Sequence, residues 1–384
     1  MKWETILLAS VFCLEYPLAK AQKKMDEVSQ WNSIGTLPDV DNKKQPGLAG
    51  AVVGVSENAL IVGGGANFPD AMPWEGGKKA YHNEIFVFEK DKTGKAVHTG
   101  KIFHLPFGFA YGANCSTPWG VICAGGENEE GLLKKVIVVQ WKPSAKEISI
   151  AYLPDLPMAV TNASIVHHDN SIFVAGGEVG DEVSDQFFKL DLQNQSADWQ
   201  VLPSLPKPLS HFVMVSQNNG THPCLYVAGG RKKNKNAISD ISSSLYEFDL
   251  NTYQWTEKKQ LPDALSAGTG LSYAKNKILM FGGDKGETFQ KVEKYIAAIA
   301  QEQDQIKKHQ LILEKNKLQS AHPGFSREVL QYNTDTDVWT VIGTIPFETP
   351  VTTTAVCWGE TFVIPSGEIK AGVRSPHILG GKIK

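Results

Sequence analysis

The sequence predicts an all-β chain closed into a six-bladed β-propeller, and three observations carry that expectation. An apolar run ending in a glycine pair recurs along the chain. Each copy sits in a unit of roughly 50 residues that reads as four short strands, the signature of a propeller blade. The two ends of the chain hold complementary fragments of one further unit, so the array can close on itself and leave no open edge.

The chain opens on a reading as a leader over residues 1–21. Lys2 is its basic start, Thr5 to Leu14 its short apolar run, and Ala19-Lys20-Ala21 a small-x-small cleavage pattern. This implies a periplasmic or secreted protein. The run is too short to span a bilayer, and no other stretch of about 20 apolar residues occurs. A strand over Ser29 to Leu37 follows, with Trp31 and a terminal Leu37-Pro38. The glycine-terminated strands then come in order: ALIVGG (Gly63, Gly64), GVICAGG (Gly125, Gly126), SIFVAGG (Gly176, Gly177), CLYVAGG (Gly229, Gly230) and KILMFGG (Gly282, Gly283). A worn sixth copy, TFVIPSG, ends at Ser366-Gly367. A small-residue strand such as Ala49 to Val55 precedes each. An alternating strand such as Leu245 to Asp249 follows, and then an outer strand bearing Trp199, Trp255 or Trp339. Glycine suits a strand end where backbones approach closely, and the Trp fills space between neighbouring blades. These are the marks of Kelch repeats. The sixth unit has strands near Val351 to Cys357, Thr361 to Ile364 and Ser375 to Ile383 and then ends. Ser29 to Leu37 is therefore expected to supply its outer strand. The propeller spans 28–384.

One unit is interrupted. From Glu287 to His322 there is no Gly or Pro, and Phe289, Val292, Ile296, Ile299 and Ile306 recur at helical spacing. Pro323-Gly324 ends the run. Residues 286–322 thus read as a helical insertion in blade five, either a lid or a structural cap.

Composition narrows the partners. The net charge is -3 and no basic stripe is visible, so nucleic acid is an improbable partner. Among 38 Lys and Arg, only Arg231, Arg327 and Arg374 are arginine, the residue that grips a carboxylate bidentately. Beyond Cys13 in the leader, Cys115, Cys123, Cys224 and Cys357 form neither a disulfide framework nor a metal spacing. Cys115 and Cys123 flank the turn at Thr117-Pro118-Trp119-Gly120; they are either a cross-strand bridge or two small buried thiols.

By quasi-symmetry, the loops after the glycine pairs share one face. The position after each pair holds Gly65, Glu127, Glu178, Arg231, Asp284 and Glu368, so five ionisable groups are expected around the channel mouth. Blade corners often use such acids to accept backbone N–H groups, the reading favoured for Glu127, Glu178 and Asp284. Glu368 stands apart. Its blade has lost the glycine pair, and Arg374 lies just beyond a Gly-containing turn. A carboxylate and a guanidinium held together form either a site or an internal salt bridge.

The stretch Gly367, Glu368, Lys370, Gly372, Arg374 resembles the Gly-Glu-x-Lys-x-Gly-x-Arg element of the N-acetylneuraminate epimerase family. The loop Gly63-Gly64-Gly65-Ala66-Asn67-Phe68, with Lys78-Lys79-Ala80-Tyr81, and the helical insertion are similar to that family too. The resemblance covers about residues 28–384, with the blade order rotated, because the blade carrying Glu368 is last here and interior in the best-known members. It implies a small sugar acid, N-acetylneuraminate or a relative, as partner. Glu368 would be the proton acceptor and Arg374 the substrate-binding residue in an exchange of α and β anomers that requires no metal and no redox cofactor. Arg231 and Arg327 are weaker candidates for a second positive contact, and Asn67, Phe68, Tyr81 and Glu127 for further substrate contacts. One departure bears on substrate choice: the family's arginine near the junction of blades three and four has no counterpart in Lys207-Pro208-Leu209-Ser210. The rival readings are a non-catalytic Kelch propeller that binds a glycan or protein, since fold does not fix function, and a copper-radical oxidase, for which the histidines are too scattered.

Overall fold

The computed structural model describes residues 28–194, 198–235 and 237–383. The expected leader at 1–21, with Cys13, lies outside the described residues. Six four-stranded antiparallel sheets form the propeller. Blade one runs Val52–Ser56, Ala59–Gly63, Glu84–Lys90, Ala96–His104, from axis to rim. Its first two strands and the centre of the third, Ile85 to Phe88, are buried and almost wholly apolar because both sheet faces are covered by neighbouring blades. Its outer strand is only partly buried. Blades two to five repeat this order, and their axial strands are Ala113–Thr117, Ser164–His168, Val213–Asn218 and Thr269–Tyr273.

Blade six closes the ring as expected. Its strands are Val356–Trp358, Thr361–Pro365, His377–Ile383 and, outermost, Val28–Thr36 from the other end of the chain. Trp31 lies opposite Gly381 in this pairing and packs edge-on against Phe281 of blade five. The tryptophans of the outer strands also reach across blades. Trp199 donates to Pro154 O, Trp255 to Pro203 O and Trp339 to Lys259 O, each at 2.9–3.0 Å.

Aligning the blades by backbone geometry shifts one reading. Gly64-Gly65, not Gly63-Gly64, has the positive φ values of the other glycine pairs, so Ala66 rather than Gly65 occupies the position after it. Gly63 is an ordinary strand residue, and three consecutive glycines hid the register. In blade six Ser366 adopts the same left-handed conformation, φ 55°. Its buried hydroxyl accepts from Leu48 N at 2.7 Å and donates to Ser375 O at 2.8 Å.

Residues just before the axial strands close a second, smaller ring. Gly50, Tyr111, Asn162, His211, Ala267 and Thr352 all have φ between 50 and 63°. Each backbone N–H donates to the carbonyl of its counterpart in the preceding blade, and Gly50 N–H donates to Thr352 O, at 2.7–3.1 Å. This six-membered belt sits at one mouth of the axial channel, whose cavity of about 390 Å³ is walled by the axial strands.

The insertion is two helices, α1 (Glu287–Gln301) and α2 (Gln305–Ser320). Asp304 caps α2 by accepting from Ile306 N and Lys307 N. Ile296 and Ile306 are exposed, so the apolar period continues onto faces that the propeller does not cover. The four cysteines among the described residues, Cys115, Cys123, Cys224 and Cys357, are free. Cys115 lies opposite Ile122, and Cys123 opposite Asn114, so the two side chains leave opposite faces of the sheet and no bridge spans them.

Candidate active site

The residue after each glycine pair bridges back to the residue that precedes the belt, as in Ala110–Glu127, Thr161–Glu178 and Val351–Glu368. This shared geometry puts Glu127, Glu178, Arg231, Asp284 and Glu368 around one mouth of the channel. In blade six a two-stranded hairpin, Glu368–Lys370 with Val373–Arg374, sets Glu368 directly opposite Arg374. Arg374 Nη1 lies 3.5 Å from Glu368 Oε1, with the side chains only 5% and 18% exposed. The other tie on Glu368 is the backbone: Gly372 N–H donates to Oε1 at 2.6 Å, locking the carboxylate over its own turn. The guanidinium stacks on Phe68, 4.8 Å from the ring centre, and Nη2 donates to Tyr111 Oη at 3.4 Å. Nε and Nη1 are buried without a hydrogen-bond partner, an arrangement that costs free energy until an acceptor arrives.

Beside this pair, Lys79 Nζ is 2.9 Å from Glu127 Oε1, and Tyr81 Oη donates to the same oxygen at 2.7 Å. Lys79 also lies over the Tyr111 ring at 4.9 Å. Burial disfavours the Lys79 charge, but Tyr111 and Glu127 outweigh it and hold the ammonium above its usual pKa. Burial and the Glu127 bond push the Tyr81 phenol up to about 12. Burial is also the largest effect on Tyr111 and raises its pKa. Arg374 and Lys79 oppose that shift, and Glu368 adds to it.

A second group lies further round the mouth. Glu178 Oε1 accepts from Ser210 Oγ at 2.8 Å and from Arg231 Nη2 at 3.0 Å, with His211 Nδ1 at 3.4 Å. Arg231 stacks on Phe289 of α1 at 4.9 Å. Burial, then the nearby Arg231 charge, keep His211 below its usual pKa and hence neutral. Burial opposes the Glu178 charge, yet bonds from His211, Arg231 and Ser210 hold its carboxyl well below the ordinary range.

The remaining sequence candidates fall differently. Asn67 is buried and committed: its amide donates to Gln45 Oε1 and Gly47 O, and its oxygen faces His82 Nε2 at 2.9 Å. Arg327 is exposed at the entry to blade five's third strand and makes no ion pair with Glu368 or Glu178 among the described residues. Arg231 belongs to Glu178. Three further residues near the site were not among the candidates the sequence offered. Tyr111 meets Arg374, and Lys79 meets Tyr111, only through the closed ring. His322, just beyond α2, is buried, and burial lowers its pKa against the pull of Asp284 and Glu368. Placing Tyr111 in register with Gly50, Asn162, His211, Ala267 and Thr352 would have marked it as an axial residue.

The helical insertion and the blade-one loop together roof the Glu368 hairpin. Asn316 of α2 donates to Trp74 O at 2.9 Å, and Pro73 and Trp74 close over Gly372. Blade six lies between blades five and one, so elements from both neighbours meet above it.

A model of the N-acetylneuraminate epimerase family matches residues 14–150 and 153–384. Proteins named N-acetylneuraminate epimerase from Haemophilus influenzae and Vibrio vulnificus are each 26% identical to this chain, over 230 and 234 residues. One from Brucella melitensis is 26% identical over 252 residues. These alignments cover 60%, 59% and 65% of this chain, in the same order, and 59%, 58% and 63% of the relatives, so the chain aligns with about three-fifths of their length.

Proposed function

The chain belongs to the N-acetylneuraminate epimerase family, and from that premise we propose that it is an isomerase that interconverts the α and β anomers of N-acetylneuraminate or a related sugar acid. The supporting observation is the Glu368–Arg374 pair, a carboxylate 3.5 Å from a buried guanidinium that keeps two nitrogens without hydrogen-bond partners.

The substrate is a cyclic hemiketal with a carboxylate on its anomeric carbon. Arg374 anchors that carboxylate, with N–H groups at Nε and Nη1 that no acceptor among the described residues takes up. Phe68 fixes the guanidinium plane from behind. This anchoring sets the anomeric hydroxyl beside Glu368. Glu368 removes the hydroxyl proton as the bond to the ring oxygen opens, and returns it after the ring closes on the other face. Gly372 N–H holds Glu368 Oε1 in place, which leaves Oε2 as the basic oxygen. The roof of α2 and Trp74 keeps bulk water from the open ketone. Glu127, held by Lys79 and Tyr81, is placed to meet the substrate's polar side chains. The leader reading of 1–21 places the work outside the cytoplasm, which N-terminal sequencing of the mature protein tests.

The decisive experiment follows α-to-β conversion of freshly released N-acetylneuraminate by NMR. The protein should accelerate the exchange, and Glu368→Gln should abolish the acceleration while the circular dichroism spectrum and melting curve stay unchanged. A folded wild type that leaves the spontaneous rate unaltered is a binding propeller, and the proposal fails.

A further inference from the structure

Opening a hemiketal ring moves two protons at two different oxygens, and Glu368 accounts for only one of them. We propose that Tyr111 is the proton donor to the ring oxygen; the inference rests on the mutarotase reading above and extends it to a residue that reading leaves idle.

The neighbouring groups are poorly suited to the role. Arg374 keeps its protons at any working pH. Lys79 is tied to Glu127 at 2.9 Å and held firmly as a cation. His322 accepts from Gly324 N–H through Nδ1 and stacks on Phe325 at 5.0 Å, so the loop after α2 orients its ring, and among the described residues no hydrogen bond ties it to Arg374 or Glu368. Tyr111 is differently placed. Its oxygen accepts from Arg374 Nη2, and its own hydroxyl proton has no acceptor among the described residues. The backbone is pinned at the axis with φ 58°, donating to Gly50 O and accepting from Asn162 N in the axial belt. The phenol therefore stands at a fixed point beside the guanidinium that would hold the substrate's carboxylate, with one proton to give.

The protons balance. Glu368 takes the anomeric hydroxyl proton, the bond from anomeric carbon to ring oxygen breaks, and its electron pair goes to the ring oxygen, which takes the proton of Tyr111. The result is an open-chain keto acid, a neutral Glu368 and a Tyr111 phenolate. On closure the chain hydroxyl attacks the other face of the ketone and returns its proton to Tyr111, while Glu368 gives its proton to the former carbonyl oxygen. Nothing is consumed.

The charges around Tyr111 favour this exchange. The groups that face it are Arg374 and Glu368 from the blade-six hairpin and Lys79, with its partner Glu127, across the blade-one loop. At rest the Glu368 carboxylate helps keep the phenol protonated. Once Glu368 has taken a proton that influence is gone, while the guanidinium and ammonium remain to stabilise the phenolate. Proton uptake at one residue thus promotes proton release at the other.

The test is Tyr111→Phe, compared with wild type in the anomer-exchange assay together with substrate affinity by calorimetry. The expected result is a fall in kcat of about 100-fold or more, the usual contribution of a positioned acid, with affinity within about threefold. A variant that keeps more than a third of wild-type kcat overturns the assignment, as does one whose loss is matched by an equal loss of affinity. Should Tyr111→Phe fold poorly, 3-fluorotyrosine at position 111 serves instead. Its more acidic phenol should move the alkaline limb of the pH–rate profile to lower pH, and an unmoved limb overturns the assignment. An inactive wild type overturns the mutarotase reading and this inference with it, whereas an active wild type with an equally active Tyr111→Phe overturns this inference alone.

Discussion

Arg374 and Arg231 are both stacked on a phenylalanine and both paired with a carboxylate, yet their surroundings set them apart. Arg231 spends Nε and Nη2 on Glu178, whereas Arg374 retains Nε and Nη1 without hydrogen-bond partners. Arg374→Lys keeps the charge but loses the planar fork. We expect the substrate KM in the anomer-exchange assay to rise at least tenfold, with a smaller change in kcat. Arg231→Lys is expected to act mainly on stability. The Glu178 carboxyl is held below its ordinary value of 4.5 in the folded state. Its contribution is therefore complete above that value and is lost as pH falls through the depressed folded one. Glu178→Gln should cost about 2 kcal/mol at pH 7 and flatten the decline of melting temperature between pH 5 and pH 3, as thermal unfolding across that range will report. Ser366 is a further residue-scale test. Its hydroxyl serves Leu48 and Ser375 where the other blades use glycine, so Ser366→Ala leaves buried backbone groups unpaired and should cost about 1–3 kcal/mol.

At the scale of elements, the two helices bury no residue fully, and the propeller core is complete without them. What they contribute is support. Glu293 of α1 bonds Ser239 of the blade-four loop, and Asn316 of α2 bonds Trp74 of the blade-one loop. Replacing residues 286–322 by a short linker should preserve the strand signal in circular dichroism and the cooperativity of melting. It should also reduce mutarotation markedly, because Trp74 then loses its hold above the Gly372 turn. A chain that unfolds on this change would make the insertion a structural cap.

For the whole molecule, closure depends on one strand from each end of the chain. Val28–Thr36 carries Trp31 and Ile34 into the seam between blades five, six and one, and Leu37 follows just beyond it. Trp31→Ala should cost about 3–5 kcal/mol, read by chemical denaturation. Deleting residues 28–37 should leave an open sheet edge and convert a monodisperse protein into an aggregating one. The axial belt of six backbone hydrogen bonds belongs to this scale as well, since no single blade can form it.

The ring, the number of blades, the shared seam at the termini and the helical insertion were all legible in the sequence, because each is written in local period: glycine pairs at strand ends, alternating strands, a run without Gly or Pro. The approach of Glu368 to Arg374 was legible too, since one turn joins them. The blade-one register was not, because Gly63-Gly64-Gly65 offers no side chain to mark the pair. Nor was the fate of Asn67, whose partners lie about 20 residues away in a loop without pattern. Phe68 and Lys79 come from the blade-one loop and Tyr111 from blade two, and they join the Arg374 group of blade six only once the sheets have closed into a circle. Periodicity specifies which face a residue takes within its own strand; which neighbours it meets across the axis is decided by closure, a property of all six sheets together.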